Sequence, residues 1–382
     1  MQEQIHRVQT EWQGVTLESP ASPTPIRAPK ARDLATYRPK PGGAVAETGK
    51  PISSYQLTLS PGLRLWMEQH RVALALSTYE LGRVITLGAG SSTLNNVDES
   101  FDSAMALLHT TRGFYLGTYD RIWRFENDLQ EGEIRQGSDR LYVPRQQIYT
   151  GAVDIHDLDI DASGRLLAVV TRSNCIAVIG ADGAATPLWR PHFIDRVVPE
   201  DRCHLNGFCL EDGRPAYATL IGPSNQRDGW REYRRDGGRV IDVRTQKVVA
   251  RHLAMPHSPR LHRNRLWVLE SGSGWFGWVD RDRRRFERLI WLPGFLRGLR
   301  FVGHYAVITS SSPRDALFTG LPLQEELAWR GAWPVTGAHV VNLETGEVEH
   351  RLTITGSVRE VYDVAIIPGA TAPRLSRLGT RP

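Results

Sequence analysis

The sequence is poor in cysteine, with only Cys175, Cys203 and Cys209 among 382 residues. None belongs to a C-x-x-C pair, and an odd number cannot form a complete disulfide framework. We therefore expect no disulfide scaffold and a reducing, cytoplasmic environment. The sequence also lacks any run of 18 apolar residues, and residues 1–10 are polar. It thus predicts no membrane span and no signal peptide.

The sequence also has little excess of charge of one sign. The 47 basic residues face 42 acidic ones, for a net charge of +5, and the two signs are interspersed. Such mixing argues against a nucleic-acid protein, which carries a basic stripe. One Arg-rich stretch, residues 227–239 with Trp230 and Tyr233 interleaved, keeps RNA contact open as a weaker alternative to a solvated loop. Neither a P-loop nor an H-E-x-x-H motif occurs.

The two ends of the chain differ from its middle. Residues 18–50 are rich in proline, alanine, glycine and charge. That composition buries too little apolar surface to offset the entropy of ordering. We therefore predict a disordered or extended tail over residues 1–54, a single folded domain over 55–370 and a flexible C-terminus over 371–382.

The middle of the chain has the pattern of an all-β protein. Short apolar, β-branched or aromatic runs recur, with turn residues roughly every eight to twelve positions, as in a sandwich, barrel or propeller. Only Pro61–His70 and Pro322–Trp329 favour short helices. Repeated units open near residues 102, 156, 204, 257, 297 and 360. This repetition predicts a six-bladed β-propeller. Strands in Arg71–Leu87 would complete the last blade and so remove exposed sheet edges, although seven blades remain possible if Pro61–Gly90 forms its own.

Three histidines share one position in this repeat. His156, His204 and His257 each open a consecutive unit, and Arg297 opens the next. The first strand of a propeller blade lines the central channel, so we expect these side chains to meet near the axis. Three neutral imidazoles suit one divalent transition metal, namely Zn, Fe, Cu or Ni. The alternative is that each histidine only hydrogen-bonds the channel wall.

Further polar residues near the same position complete the predicted site. An arginine can bind a carboxylate or stabilise negative charge, and a tyrosine can donate a proton. Carboxylates and amides beside the histidines can fix the imidazole tautomers. The predicted catalytic residues are Arg297, Tyr362 and Asp363. The predicted supporting residues are Asp102, Asp154, Asp157 and Asn206.

Four phrases resemble an uncharacterised bacterial family of conserved hypothetical proteins. They are His204–Gly207, Met255–Arg260, Leu269–Gly274 and Pro293–Gly298. The resemblance covers about residues 60–368 and implies a propeller without an agreed activity. The predicted architecture is also similar to peptidyl-hydroxyglycine α-amidating lyase, a six-bladed propeller with three histidines on one channel zinc. That similarity implies that His156, His204 and His257 are ligands and that Arg297 faces the substrate.

Two main hypotheses of function follow. The first is a metal-dependent enzyme that acts on a small molecule or a peptide. Metal-bound water would carry out hydrolysis or elimination. An Fe or Cu oxygenase on the same three histidines is a variant of it. The second is a non-catalytic propeller that binds a ligand or a protein. The sequence leaves the metal, the substrate and the oligomeric state open.

Overall fold

The computed structural model describes residues 55–90, 95–312 and 319–377. The predicted tail over residues 1–54 lies outside the described residues, as do residues 378–382. The described chain is mostly strands, arranged as six sheets around a central axis, and all but one of the strand pairs are antiparallel. The prediction of a six-bladed β-propeller is therefore confirmed.

Each blade runs from an inner strand at the channel to an outer strand. Blade 1 contains β25 (Asp363–Pro368), β2 (Val72–Thr78), β3 (Arg83–Gly88) and β4 (Asn95–Ser100). Blade 2 contains β5 (Leu107–Thr110), β6 (Gly113–Gly117), β7 (Arg121–Asn127), β8 (Arg140–Tyr149) and β26 (Pro373–Leu375). Blade 3 contains β9 (Ile155–Ile160), β10 (Leu166–Val170), β11 (Cys175–Ile179) and β12 (Ala185–Trp189).

The other three blades follow the same scheme. Blade 4 contains β13 (Leu205–Glu211), β14 (Arg214–Leu220), β15 (Gly238–Asp242) and β16 (Val248–Leu253). Blade 5 contains β17 (Pro256–His262), β18 (Arg265–Glu270), β19 (Trp275–Asp280) and β20 (Arg285–Trp291). Blade 6 contains β21 (Phe295–Val302), β22 (Tyr305–Ser311), β23 (Gly337–Asn342), β24 (Val348–Gly356) and β1 (Tyr55–Leu59). The helices are α1 (Leu63–Gln69) and α2 (Pro322–Arg330), with 3-10 turns at Thr171–Ser173 and Gly229–Tyr233.

Strands from both ends of the described chain close the ring. In blade 1, inner strand β25 pairs with β2, which places Asp363 opposite Ser77. In blade 6, β1 covers the edge of β24, and in blade 2, β26 pairs in parallel with β8. Closure by strands from both ends agrees with the sequence-based expectation, because it leaves fewer edges exposed. The C-terminus over residues 371–382 was predicted to be flexible. Within it, however, Pro373–Leu375 forms strand β26, which pairs with β8.

The six inner strands contact one another in a ring, in the order β25, β5, β9, β13, β17, β21. Inner strands β21 and β25 approach so closely that a Cβ on Gly298 would lie 2.8 Å from the backbone nitrogen of Val364. Four inner strands carry a β-bulge near their start, in β9, β13, β17 and β21. A bulge shifts the alternation of side chains by one residue and re-aims them. The period-two rule therefore does not hold at the start of these strands.

Three smaller features bear on the sequence-based predictions. The cysteines are all free and buried. Over the described residues, neither helix has the length and apolar character needed to cross a bilayer.

The residues from Gly272 to Gly277 match the motif G-x-G-x-x-G, but they connect the antiparallel strands β18 and β19. A dinucleotide-binding fingerprint instead opens a helix after a parallel-sheet strand.

Candidate functional site

Two of the three predicted histidines lie in direct ring contact at one end of the channel. His156 is the second residue of β9, and His204 immediately precedes β13. Their ring centres are 4.9 Å apart and the rings are nearly perpendicular, at 88°. Two imidazoles bound to one tetrahedral ion have ring centres about 5 Å apart, given metal–nitrogen distances of about 2.0–2.1 Å. This pair therefore has the spacing of two ligands of one ion.

The third histidine lines the same small cavity as His156. His257, the second residue of β17, has its ring 5.5 Å from that of Phe295. Among the described residues, no three His, Cys, Asp or Glu side chains are close enough together to hold a metal ion. His156, His257 and Arg297 nevertheless line one small cavity, and the ring of His204 contacts that of His156, so all four lie at one end of the channel. We call this the histidine end.

The three imidazoles share one hydrogen-bonding pattern. Nδ1 of His156 lies 3.3 Å from the Asp154 carbonyl oxygen, and Nδ1 of His257 lies 2.9 Å from that of Met255. Nδ1 of His204 lies 2.6 Å from Oδ2 of Asp201. These oxygens accept, so Nδ1 carries the proton in each ring and Nε2 keeps its lone pair. Within the described chain, no group hydrogen-bonds to any of the three Nε2 atoms.

Left-handed backbone conformations aim these acceptors. Asp154 and Met255, two residues before His156 and His257, have φ of 61° and 46°, and His204 itself has φ of 49°. Such conformations cost non-glycine residues of order 1–3 kcal/mol and cluster at functional sites. Here they turn the carbonyls of Asp154 and Met255 back onto the imidazoles. Sequence reasoning did not find Asp201 or Met255, because only the fold places them beside a ring.

Burial keeps His156 and His257 neutral. Desolvation lowers the pKa of His156 to about 4, assisted by His204 and Arg297 and opposed by Asp154. Desolvation and the Arg297 charge hold the pKa of His257 well below its usual value. A neutral imidazole with a free Nε2 is the form that binds transition metals.

This burial predicts a loss of stability in mild acid. Between pH 6.5 and 4, unfolded His156 binds a proton that the folded form does not, so stability falls as the pH falls through this window. The side chain is 7% exposed, and the shift corresponds to about 3 kcal/mol. Urea unfolding from pH 7.5 to 4 should reveal a steep decline. His156→Gln should make the decline shallower, with His257 contributing to what remains, and an equal decline in this variant would contradict the assignment.

Arg297 is not a free cation at the histidine end. Its Nη2 lies 3.2 Å from Oε1 of Glu360, and its guanidinium lies 4.7 Å from the ring centre of Tyr362. Burial raises the pKa of Tyr362 well above its usual value, so the phenol keeps its proton. Nε of Arg297 is buried without a hydrogen-bond partner among the described residues. Sequence reasoning missed Glu360, two residues before Tyr362, although the Glu360–Asp363 phrase contains it.

Asp157 and Asp363 line the same cavity as His156 and His257, and they form ion pairs with Arg260 and Arg300 respectively. The Asp157 carboxylate accepts two hydrogen bonds from Arg260, at 2.8 and 2.9 Å, and one from the Phe208 backbone N–H at 3.1 Å. Asp363 accepts the Leu107 N–H at 2.9 Å, and burial raises the pKa of Asp363. Both carboxylates thus bind the inner strand of a neighbouring blade.

The remaining supporting residues divide between two places. Asn206 donates to the Pro256 carbonyl at 2.9 Å and accepts from Thr219 at 2.7 Å, so it ties blade 4 to blade 5. Asp154 lies beside His156. Asp102 is exposed and outside the site, because blade 2 opens at Leu107 and the left-handed Ser103 interrupts any earlier strand.

Two insertions cover part of the histidine end. The insertion between β14 and β15 contributes Trp230, whose ring centre lies 4.3 Å from that of His204. The insertion between β22 and β23 contributes α2. The apolar cluster that joins them contains Ile221, Trp230, Met255, Phe295, Leu321 and Leu323. Arg235 and Glu325 add an ion pair of 2.8 Å between the insertions.

The remaining cavity at the histidine end is small. It is lined by His156, Asn206, His257, Arg297 and Tyr362, together with Asp157, Ser258, Arg260 and Asp363. Its volume of about 10 Å³ has room for one water-sized group. A cavity of this size suits an ion or a water molecule, and an organic substrate would have to react at its opening.

The fold and the histidine end define a six-bladed β-propeller with a polar channel. The chain belongs to the family described as "Domain of unknown function (DUF4915)", whose model matches residues 61–375. No curated protein matches the chain.

Solved structures similar to this chain match it at low sequence identity. A chain of a nidogen/laminin complex is 12% identical, with a TM-score of 0.48, covering 78% of this chain and 98% of that chain. A protein of unknown function from Bacteroides caccae is 12% identical, with a TM-score of 0.47, covering 78% and 99%. The computationally designed Ika8 protein is 11% identical, with a TM-score of 0.35, covering 76% and 78%.

Proposed function

We propose that His156, His204 and His257 bind one divalent transition metal through Nε2, and that the protein is a metal-dependent hydrolase or lyase. The observation that carries this proposal is the shared hydrogen-bonding pattern, with each Nδ1 bonded to an oxygen and each Nε2 free. Metal-binding histidines have this arrangement, because an oxygen on the other nitrogen fixes the tautomer and the ring orientation. Three separate turns supply it here.

Metal binding requires His257 to approach the other two rings. His156 and His204 already have the spacing of two ligands. Met255 and Ser271 both lie within 3.0 Å of Nδ1 of His257 and can guide the ring as it turns. We expect the ion to bind in or beside the small cavity, between His257 and the pair formed by His156 and His204.

The neighbouring groups define what this site can do. A bound ion would act as a Lewis acid and lower the pKa of water to near neutrality. Tyr362 keeps its proton and can donate it to a leaving group. Nε of Arg297 is left to donate to a carboxylate or carbonyl oxygen of a small molecule or peptide. Glu360 balances the charge of Arg297, so an anionic substrate would compete with this carboxylate.

Elemental analysis of protein purified without a histidine tag tests the proposal. We expect about one equivalent of Zn, Fe or Cu, lost in the single His156→Ala, His204→Ala and His257→Ala variants. His192→Ala, at an exposed histidine, should retain the metal and serves as the matched control. Protein that folds normally but holds no metal after incubation with each ion would contradict the proposal and favour a non-catalytic binding propeller.

Two finer proposals depend on that result. Zinc would support the similarity to peptidyl-hydroxyglycine α-amidating lyase, whereas iron or copper would support an oxygenase on the same histidines. We also propose a cytoplasmic location. Three free, buried thiols support it, since unpaired cysteines are typical of reducing compartments.

A further inference from the structure

Two tryptophans on the insertion between β22 and β23 are unusually exposed. Trp329 and Trp333 are 73% and 74% exposed, more than any other large hydrophobic residue in the described chain. They lie four positions apart in the sequence, on either side of the left-handed Gly331 that ends α2. Exposed aromatic surface larger than scattered single residues marks an interaction site. We call this pair the tryptophan platform.

The platform rests on ordered structure. The guanidinium of Arg330 lies 4.9 Å from the ring centre of Trp329, 4.5 Å from that of Trp291 and 5.5 Å from that of Trp275. Beyond Trp333, the Val335 N–H donates to the Pro293 carbonyl at 2.7 Å. A ring that is held in place before binding loses little entropy when a ligand arrives. Trp329 is therefore preorganised, and the backbone that follows Trp333 is anchored.

Charge around the platform is compensated. Arg330 pairs with Glu326 at 3.0 Å, and Arg235 pairs with Glu325 at 2.8 Å. Trp275 also donates to Glu326 at 3.1 Å. Nucleic acids and anionic lipids bind where cations are in excess. Paired ions beside flat aromatic rings instead suit a neutral ligand that has apolar faces and many hydroxyl groups.

The size of the platform also limits its occupant. Two tryptophans exposed by about three quarters offer on the order of 350 Å². A stable protein interface needs about 800 Å² from each partner. The patch is too small for a second copy of the chain but fits one or two sugar rings.

We propose that Trp329 and Trp333 form a saccharide-binding site that stacks on neutral sugar rings. Arg330 holds Trp329 with one face toward the protein, and the carboxylates and guanidinium groups nearby supply acceptors and donors for hydroxyl groups. The site lies on the insertion that also contributes Leu321 and Leu323 to the cover of the histidine end. It does not depend on a metal in the channel.

Calorimetry with neutral hexasaccharides (maltohexaose, cellohexaose, xylohexaose and chitohexaose) tests this site on the full chain. We expect at least one to bind, with affinity about tenfold lower in Trp329→Ala and in Trp333→Ala, as for loss of an aromatic anchor. Trp329→Tyr should recover part of the affinity. Tyr149→Ala, at another exposed aromatic residue, should bind like the wild type, and the metal content of all variants should be unchanged.

Several outcomes would overturn the proposal. Binding of none of the four saccharides excludes a neutral-sugar site, and binding that survives both alanine variants places the sugar elsewhere. Sedimentation with phosphatidylcholine vesicles that Trp333→Ala abolishes would assign the platform to a lipid surface. A concentration-dependent dimer that Trp333→Ala dissociates would assign it to a second copy of this chain.

Discussion

Asp157→Ala is expected to lower the free energy of unfolding by about 3–5 kcal/mol. The Arg260 side chain is only 15% exposed and that of Asp157 only 5%. The variant therefore leaves the guanidinium of Arg260 buried without its bidentate partner. It also removes the acceptor for the Phe208 N–H of the neighbouring blade. Urea unfolding at pH 7 measures the loss.

Two comparisons make this prediction specific. Glu68→Ala breaks the exposed pair with Arg64, at 3.2 Å, and should cost less than about 1 kcal/mol. The double variant Asp157→Leu, Arg260→Met removes both charges and should be more stable than Asp157→Ala alone. If Asp157→Ala costs no more than Glu68→Ala, then this ion pair does not stabilise the ring of inner strands.

Asp201→Ala is expected to weaken metal binding by about 10–100-fold. Its Oδ2 lies 2.6 Å from Nδ1 of His204, which fixes the tautomer and orientation of this proposed ligand. Competition with a chromophoric chelator gives the affinity. Without this acceptor, the neutral ring of His204 can carry its proton on Nε2, the nitrogen proposed to bind the metal.

Matched variants separate this role from a general loss of structure. Asp201→Asn keeps an acceptor for the backbone N–H of His204 but loses the charge, so we expect an intermediate affinity. Asp195→Ala, in the same segment, removes a partner of Arg202 and should leave metal affinity unchanged. Equal affinities in wild type and Asp201→Ala would mean that His204 is not a ligand.

The architecture was predictable because propeller blades repeat. Six blade openings, near residues 102, 156, 204, 257, 297 and 360, indicated the number of blades. The strand that opens near residue 360 has no partner strands after it, which pointed to closure by strands in Arg71–Leu87. The opening of blade 2 was misplaced by about five residues. Phe101–Ser103 resembles the other openings in composition, but its backbone turns before the inner strand begins at Leu107.

The site was less predictable because its details depend on backbone irregularities. A bulge between His257 and Arg260 turns Arg260 into the channel, where it pairs with a carboxylate 103 residues away. Regular alternation along β17 gives no such indication. Likewise, Asp201 and Glu360 become partners of His204 and Arg297 only through turns. Histidines at a shared repeat position are visible in a sequence, whereas the groups that orient them are not.

Anomalous diffraction at the absorption edge of the bound metal tests the central claim most directly. Crystals of metal-loaded protein should give one strong peak about 2.0–2.1 Å from Nε2 of His156, His204 and His257. The Nδ1 contacts to Asp154, Asp201 and Met255 should persist in that structure. A peak bound elsewhere on the chain, or loaded crystals without a peak at the histidine end, would contradict a three-histidine metal site.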